Sequence, residues 1–247
     1  MSADPHPLEL FVRTFELRTP LSGSDRQQIL ALPYTLRTLE SGSYVVREAD
    51  APRYCGVLVS GFAYRQKLTG EGARQIIAIN LPGEAIDLQH LFLREADHSV
   101  QMLTRGEVAF VAREDLQALV RGSSAISHAL LVQMQVEASI FREWVLNVGR
   151  RPAKSRLAHV LCELAVRLDA VGLAAHYGYQ LPMTQEELAD ALGLTPVHVN
   201  RTIKSLEADK LIARDRRRLF FPEWKRLRDV GDFNARYLHL NPLPSSE

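Results

Sequence analysis

The chain has 247 residues, 46% of them hydrophobic and 24% charged, with a formal net charge of +1; that is enough apolar content for one large or two modest cores and excludes a disordered tail. No run approaches the roughly 18 apolar residues of a bilayer-spanning helix, and the start MSADPHPLEL lacks a charged region followed by an apolar one, so a cytoplasmic protein with no membrane partner is expected. Only Cys55 and Cys162 are present, each in an apolar pattern, which predicts two buried thiols and supports neither a disulfide framework nor a cysteine-held iron-sulfur cluster.

Helical patterns near Leu8 to Leu17 and Asp25 to Leu32 come first. The texture then changes to short strands punctuated by glycine: Tyr44 to Arg47, Cys55 to Val59, Phe62 to Leu68, Ala73 to Ile79, Val100 to Thr104 and Glu107 to Ala112. Turns at Gly61, Gly70-Glu71-Gly72, Pro82-Gly83 and Gly106 predict an antiparallel barrel or roll over residues 1–122. From Ser127 to Val148 the period becomes helical. Leu131, Met134, Ala138, Phe141, Val145 and Val148 recur at alternating steps of three and four, the seam of a two-helix coiled coil, so a helix over 123–150 is expected to join two copies of the chain. Leu130, Ile140 and Trp144 flank this seam and are expected to pack on the roll. Gly149-Arg150-Arg151-Pro152 then marks a junction, because proline disfavours helix in the residue before it.

Within 151–247, Thr184 and Glu187 have the spacing of a capping box, and Leu188, Ala189 and Leu192 form a short apolar stripe that Gly193 ends. Thr195 and Pro196 are good N-cap and first-turn residues, so a second helix restarts at once and runs over 196–208. Its apolar side carries Val199, Thr202, Ile203 and Leu206; its other side carries Val197, Asn200, Arg201 and Lys204. Leu211 to Arg214 and Arg218 to Phe221 read as two strands around the basic turn Asp215-Arg216-Arg217, a wing. Residues 196–228 hold ten Lys/Arg against four Asp/Glu, so basic charge gathers beside a helix whose small, polar and cationic face suits the DNA major groove. Trp224, Leu227, Val230, Phe233, Tyr237 and Leu238 are expected to pack on this domain, with a contact to RNA polymerase as the alternative.

The order of roll, long helix and winged helix-turn-helix resembles the Crp/Fnr family of bacterial transcription regulators over nearly the full length. The resemblance is most specific in TQEELADALGLTPVHVNRTIKSLE, and it extends to Gly149-Arg150-Arg151-Pro152, Ser155-Arg156-Leu157-Ala158 and Leu81-Pro82-Gly83-Glu84. It implies an α+β fold with a cyclic-nucleotide-binding-like β-roll, a dimerisation helix and a winged helix-turn-helix. It further implies a homodimer on double-stranded DNA whose paired helices read an inverted repeat. Fnr-type members read DNA with the pattern E-x-x-S-R. Here the window is Val197, His198, Val199, Asn200, Arg201, so Arg201 carries over as a guanine contact while the contact of the missing Glu is lost. Thr195, His198 and Lys204 are expected on phosphates, with Arg216 and Arg217 at the wing.

Members that bind cyclic nucleotides use a Gly-Glu turn and a later Arg-Ser pair. Gly83 and Glu84 match the first, but the second reads His98-Ser99, and Phe141 stands where cyclic-AMP-binding members have Thr. A neutral His is a poor substitute for a guanidinium fork, so cyclic AMP in the usual mode is not expected. Haem would draw on His90, His98 and His128, but scattered histidines are more often surface or hydrogen-bonded side chains, so neither haem nor a metal is expected. No nucleophile with its base, phosphate loop or metal set stands at a recognisable spacing, and an enzyme is not expected. The rival function is a small-ligand module acting through protein contacts, against which the basic wing speaks.

Overall fold

Near-continuous apolar runs and alternating ones sort the N-terminal strands by how they are buried. The computed structural model describes residues 5–174 and 178–240. After α1 (Glu9–Glu16) and α2 (Gly23–Leu30) come β1 (Tyr34–Leu39), β2 (Tyr44–Val46), β3 (Tyr54–Leu58), β4 (Ala63–Leu68), β5 (Arg74–Asn80), β6 (Ala85–Ile86), β7 (Ser99–Met102) and β8 (Gly106–Ala112). They form two four-stranded sheets, ordered β1-β8-β3-β6 and β2-β7-β4-β5. In β8, Val108 faces the core between the sheets with Leu58, Val100 and Met102, whereas Ala109 and Val111 face a second core. That second core is closed by Phe11 and Phe15 of α1, Leu116 of α3 (Arg113–Gly122) and Ile126, Ala129 and Leu130 at the start of α4 (Ser124–Arg150). Burial on both faces explains the unbroken VAFVA run. β1 and β6 were not legible as strands: β1 exposes most of its residues and so shows no apolar alternation, and β6 has only two residues.

The chain divides into two units, 1–67 with 78–137 and 68–77 with 138–247, so the division falls inside α4. In the second unit α5 (Ala153–Ala170) is buried on nearly every side, as a helix apolar all round should be. Against it lie α6 (Gln185–Leu192), α7 (Pro196–Ala208) and α8 (Trp224–Val230). β9 (Tyr179–Gln180), β10 (Ala213–Asp215) and β11 (Arg218–Phe220) make the wing sheet in the order β10-β11-β9, one strand more than the sequence indicated. Trp224, Leu227, Phe233 and Leu238 are buried, so the segment after the wing packs on this unit as expected. Cys55 and Cys162 are both buried thiols, and burial pushes each well above the ordinary thiol range.

A network of buried charge ties this unit together. The Glu163 carboxylate accepts from the Trp144 indole N–H at 3.1 Å, from the Tyr237 hydroxyl at 2.8 Å and from Arg167 at 3.0 Å. The Trp144 indole is thereby directed toward α5. Beside it Arg151 is held by Glu143 at 2.6 Å and by Asp232 at 3.0 Å, which fixes the turn at Pro152 where α4 gives way to α5.

Candidate nucleic-acid interface

Thr184 accepts from the Glu187 amide and Glu187 reaches back to the Thr184 amide at 2.7 Å, the reciprocal cap that starts α6. Gly193 ends it at φ 62°, a left-handed conformation that costs a side chain about 1 kcal/mol or more. Thr195 then caps α7 by accepting from the His198 amide at 3.3 Å, so its hydroxyl already has a partner inside the protein. Replacing Thr184 by Ala is expected to lower stability by about 0.5–2 kcal/mol, read as an earlier urea midpoint with an unchanged slope.

Val199, Thr202, Ile203 and Leu206 are buried, and the opposite side of α7 is open. Val197 is 80% exposed, and Arg201 and Lys204 are exposed beside it. Asn200 is half-buried and donates to Gln185 Oε1 at 3.1 Å, which anchors it to the supporting helix. His198 is half-buried next to the cap. Arg216 and Arg217 form the exposed two-residue turn between β10 and β11, with Arg216 at φ 55°. Arg214 is paired with Glu207 at 2.5 Å, which takes one wing cation out of the free set.

The sensor residues named from the sequence separate in the fold. Gly83 and Glu84 build the turn before β6: Gly83 stands at φ 90° with Leu10 O only 2.8 Å from where a Cβ would be, and Glu84 accepts from the Leu81 amide at 3.1 Å. Ser99 is spent on the Glu48 amide at 2.9 Å, and Phe141 is 43% exposed on α4. His98 instead meets residues the sequence did not single out. Its Nε2 is 2.8 Å from Asp87 and its Nδ1 2.7 Å from Asp97, and Asp87 also faces Arg65 at 3.2 Å, while Arg65 holds Glu137 of α4 at 3.0 Å. His90 Nδ1 lies 3.6 Å from Asp87, beyond hydrogen-bond reach. Asp87 escaped notice because its significance lies in φ 62° and burial, neither visible in the string AIDLQH.

Both His98 nitrogens face carboxylate oxygens, a setting only the doubly protonated ring can satisfy. Burial alone would lower its pKa, but the hydrogen bonds and charge of Asp87 and then Asp97 outweigh it and raise the ring above the ordinary value. Asp87 is likewise held below the carboxylate range, because His98 and Arg65 outweigh its burial. The sign follows: the raised His98 contributes stability that is full below about pH 6.5 and is lost as pH rises through its folded value. His98→Gln is expected to flatten that alkaline loss in a pH series of urea unfolding; an unchanged pH profile would remove His98 from it.

On α4, Leu131, Phe141 and Val145 of the expected seam are exposed, as is Leu146. Met134 is partly covered by the roll core, Ala138 and Val148 are half-buried, and Val148 lies against the Gly193 turn.

The Crp-like helix-turn-helix domain family matches residues 155–230 and the cyclic nucleotide-binding domain family matches residues 36–123. The nitrogen fixation regulation protein FixK of Azorhizobium caulinodans is 30% identical over 190 residues, covering 75% of this chain and 74% of its own. The transcriptional activator protein FnrL of Cereibacter sphaeroides is 27% identical over 201 residues, covering 79% and 80%. The solved structure of FixK2 from Bradyrhizobium japonicum superposes with a TM-score of 0.74 at 24% identity, over 81% of this chain and 98% of that one.

Proposed function

The chain belongs to the Crp/Fnr family of transcription regulators, and from that premise we propose that it binds DNA as a homodimer, each protomer placing α7 in the major groove of one half of an inverted-repeat operator. The observation that carries this reading is the exposed row Val197, Arg201 and Lys204 standing over a buried apolar face of the same helix. In it Arg201 reads a guanine, Val197 touches a thymine methyl, Lys204 and His198 meet phosphates together with Thr195, and Arg216 and Arg217 of the wing hold the flanking backbone. Asn200 fixes α7 to Gln185 with one amide hydrogen, and its Oδ1 and second N–H are not used by that bond.

The dimer reading is supported by the apolar side chains that α4 leaves uncovered, above all Leu131, Phe141 and Val145. The effector is not cyclic AMP held in the family's usual mode. Among the described residues near His98 the one buried guanidinium is Arg65, already shared by Asp87 and Glu137, so a cyclic phosphate would meet three carboxylates with Asp97 counted. The same carboxylates occupy both His98 nitrogens, and the reading includes no resident metal or cofactor. RNA polymerase is the partner an activator would need, and the cytoplasm the compartment where it would meet DNA; among the described residues no helix is long and apolar enough to cross a membrane.

Arg201→Ala is expected to cost about 1–3 kcal/mol of operator affinity and to relax preference at one base pair per half-site. Unchanged affinity with unchanged preference would remove Arg201 from the reading head. A steep fall of affinity with salt is expected as well, since phosphate contacts release counterions, whereas a surface that docks a protein need not show it.

A further inference from the structure

Apart from the His98 cluster, the roll has a concavity lined by residues of β1, β2, β3 and β8 and of the loop between β2 and β3. Thr35, Phe110 and Gly56 lie side by side in register on β1, β8 and β3, so all three present the same face. Phe110 packs toward the inter-sheet core with Val45 and Val46, which therefore wall the opposite side. The cavity has a volume of about 350 Å³, at the small end of the range for small-molecule sites.

Its chemistry is uneven in a way that suits one kind of guest. The floor is apolar: Val45, Val46 and the Phe110 ring. The rim carries Arg37, whose guanidinium stands over the Phe110 ring at 5.3 Å, and Arg53, while Tyr54 is 55% exposed at the lip. Both arginines are exposed, and neither meets a carboxylate among the described residues, so their guanidinium groups are open to a guest at the rim. The one acid in the wall, Asp50, accepts from the Arg47 amide at 3.2 Å, and so part of its charge is turned to the loop. That loop is held in place: the Ala49 amide donates to Ala96 O at 2.7 Å, the Ala96 amide returns to Asp50 O at 2.8 Å, and Ala49 takes φ 69° to allow it. Walls fixed before binding spare a ligand much of the ordering cost.

We propose that this concavity binds a small organic anion with a planar apolar body, its carboxylate held by Arg37 and Arg53 and its body lying between Phe110 and the valines. Guanidinium groups pair carboxylates bidentately, and an aromatic floor beneath a cation accepts a planar guest by stacking. The site is built entirely from the first unit and does not depend on how the chain reads DNA.

The test uses the full-length protein and 4-fluorobenzoate as probe, followed by 19F line broadening and by amide shifts in the labelled protein. Expected are saturable binding with shifts centred on Val45, Val46 and Phe110, at least a tenfold loss of affinity in Arg37→Gln/Arg53→Gln, and a similar loss when neutral 4-fluorobenzamide replaces the anion. Operator binding by the double variant serves as the control that the protein still folds. Absence of saturable binding at millimolar probe, equal binding of the amide, or binding unmoved by the double substitution would each overturn the proposal.

Discussion

Replacing Phe141 and Val145 together by Asp is expected to give a monomer by sedimentation and to weaken operator binding by about a hundredfold or more. The two side chains are among the most exposed apolar groups on α4, and they share the face that carries Leu131 and Ala138. In the proposed dimer each would stand near its symmetry mate, so the substitution places four carboxylates along one seam and removes the apolar area that holds it. The DNA consequence comes from linkage: a half-site bound by a tethered partner gains an effective concentration that multiplies affinity by about 10² to 10⁴ without new contacts, and a monomer forfeits it. Folding should be little changed, because neither side chain is in the protomer's own core. A double variant that remains dimeric, or a monomer that binds the operator as tightly as before, would exclude this face as the interface.

Glu163→Ala should destabilise the protein by about 3–5 kcal/mol, the usual cost of removing one partner from a buried ionic network. The substitution strips the Trp144 indole and the Tyr237 hydroxyl of an acceptor and leaves Arg167 without the carboxylate at 3.0 Å, around a residue that is itself fully buried. Glu163→Gln keeps the volume and one acceptor oxygen, so it should cost clearly less. Urea unfolding of the pair separates the terms: equal losses would mean that the charge dominates, and a loss under about 1 kcal/mol in the Ala variant would mean that the network contributes little.

The parts of the fold that were legible in the sequence were those written in local chemistry. Thr184 with Glu187, Gly193, and Thr195 with Pro196 each state a cap or a stop whose meaning needs no distant residue, and all three formed as expected. The apolar face of α7 was equally readable, because burial on one side of a helix leaves a period. What escaped depends on residues far apart in the chain. Glu163 sits in an apolar helical pattern and looks like an ordinary surface charge until Trp144 and Tyr237 converge on it. Arg65 reads as the polar member of a strand; only the fold shows it buried between Asp87 and Glu137. The seam on α4 was read as one stripe, yet Met134 leans on the roll core and Val148 on the Gly193 turn, because a helix that serves several neighbours does not keep one periodic face for any of them.

The measurement that bears most directly on α7 as the reading head is a selection of bound fragments from genomic DNA by the purified full-length protein, run with and without cyclic AMP across a salt series. The expected result is an inverted repeat whose half-sites lie about one turn of DNA apart, roughly 34 Å, recovered equally with and without the nucleotide and lost steeply at high salt. Recovery only with cyclic AMP would contradict the account of Arg65 as a guanidinium already ion-paired to Asp87 and Glu137, and the absence of any enriched sequence would contradict the assignment of Val197, Arg201 and Lys204 to base and phosphate contacts.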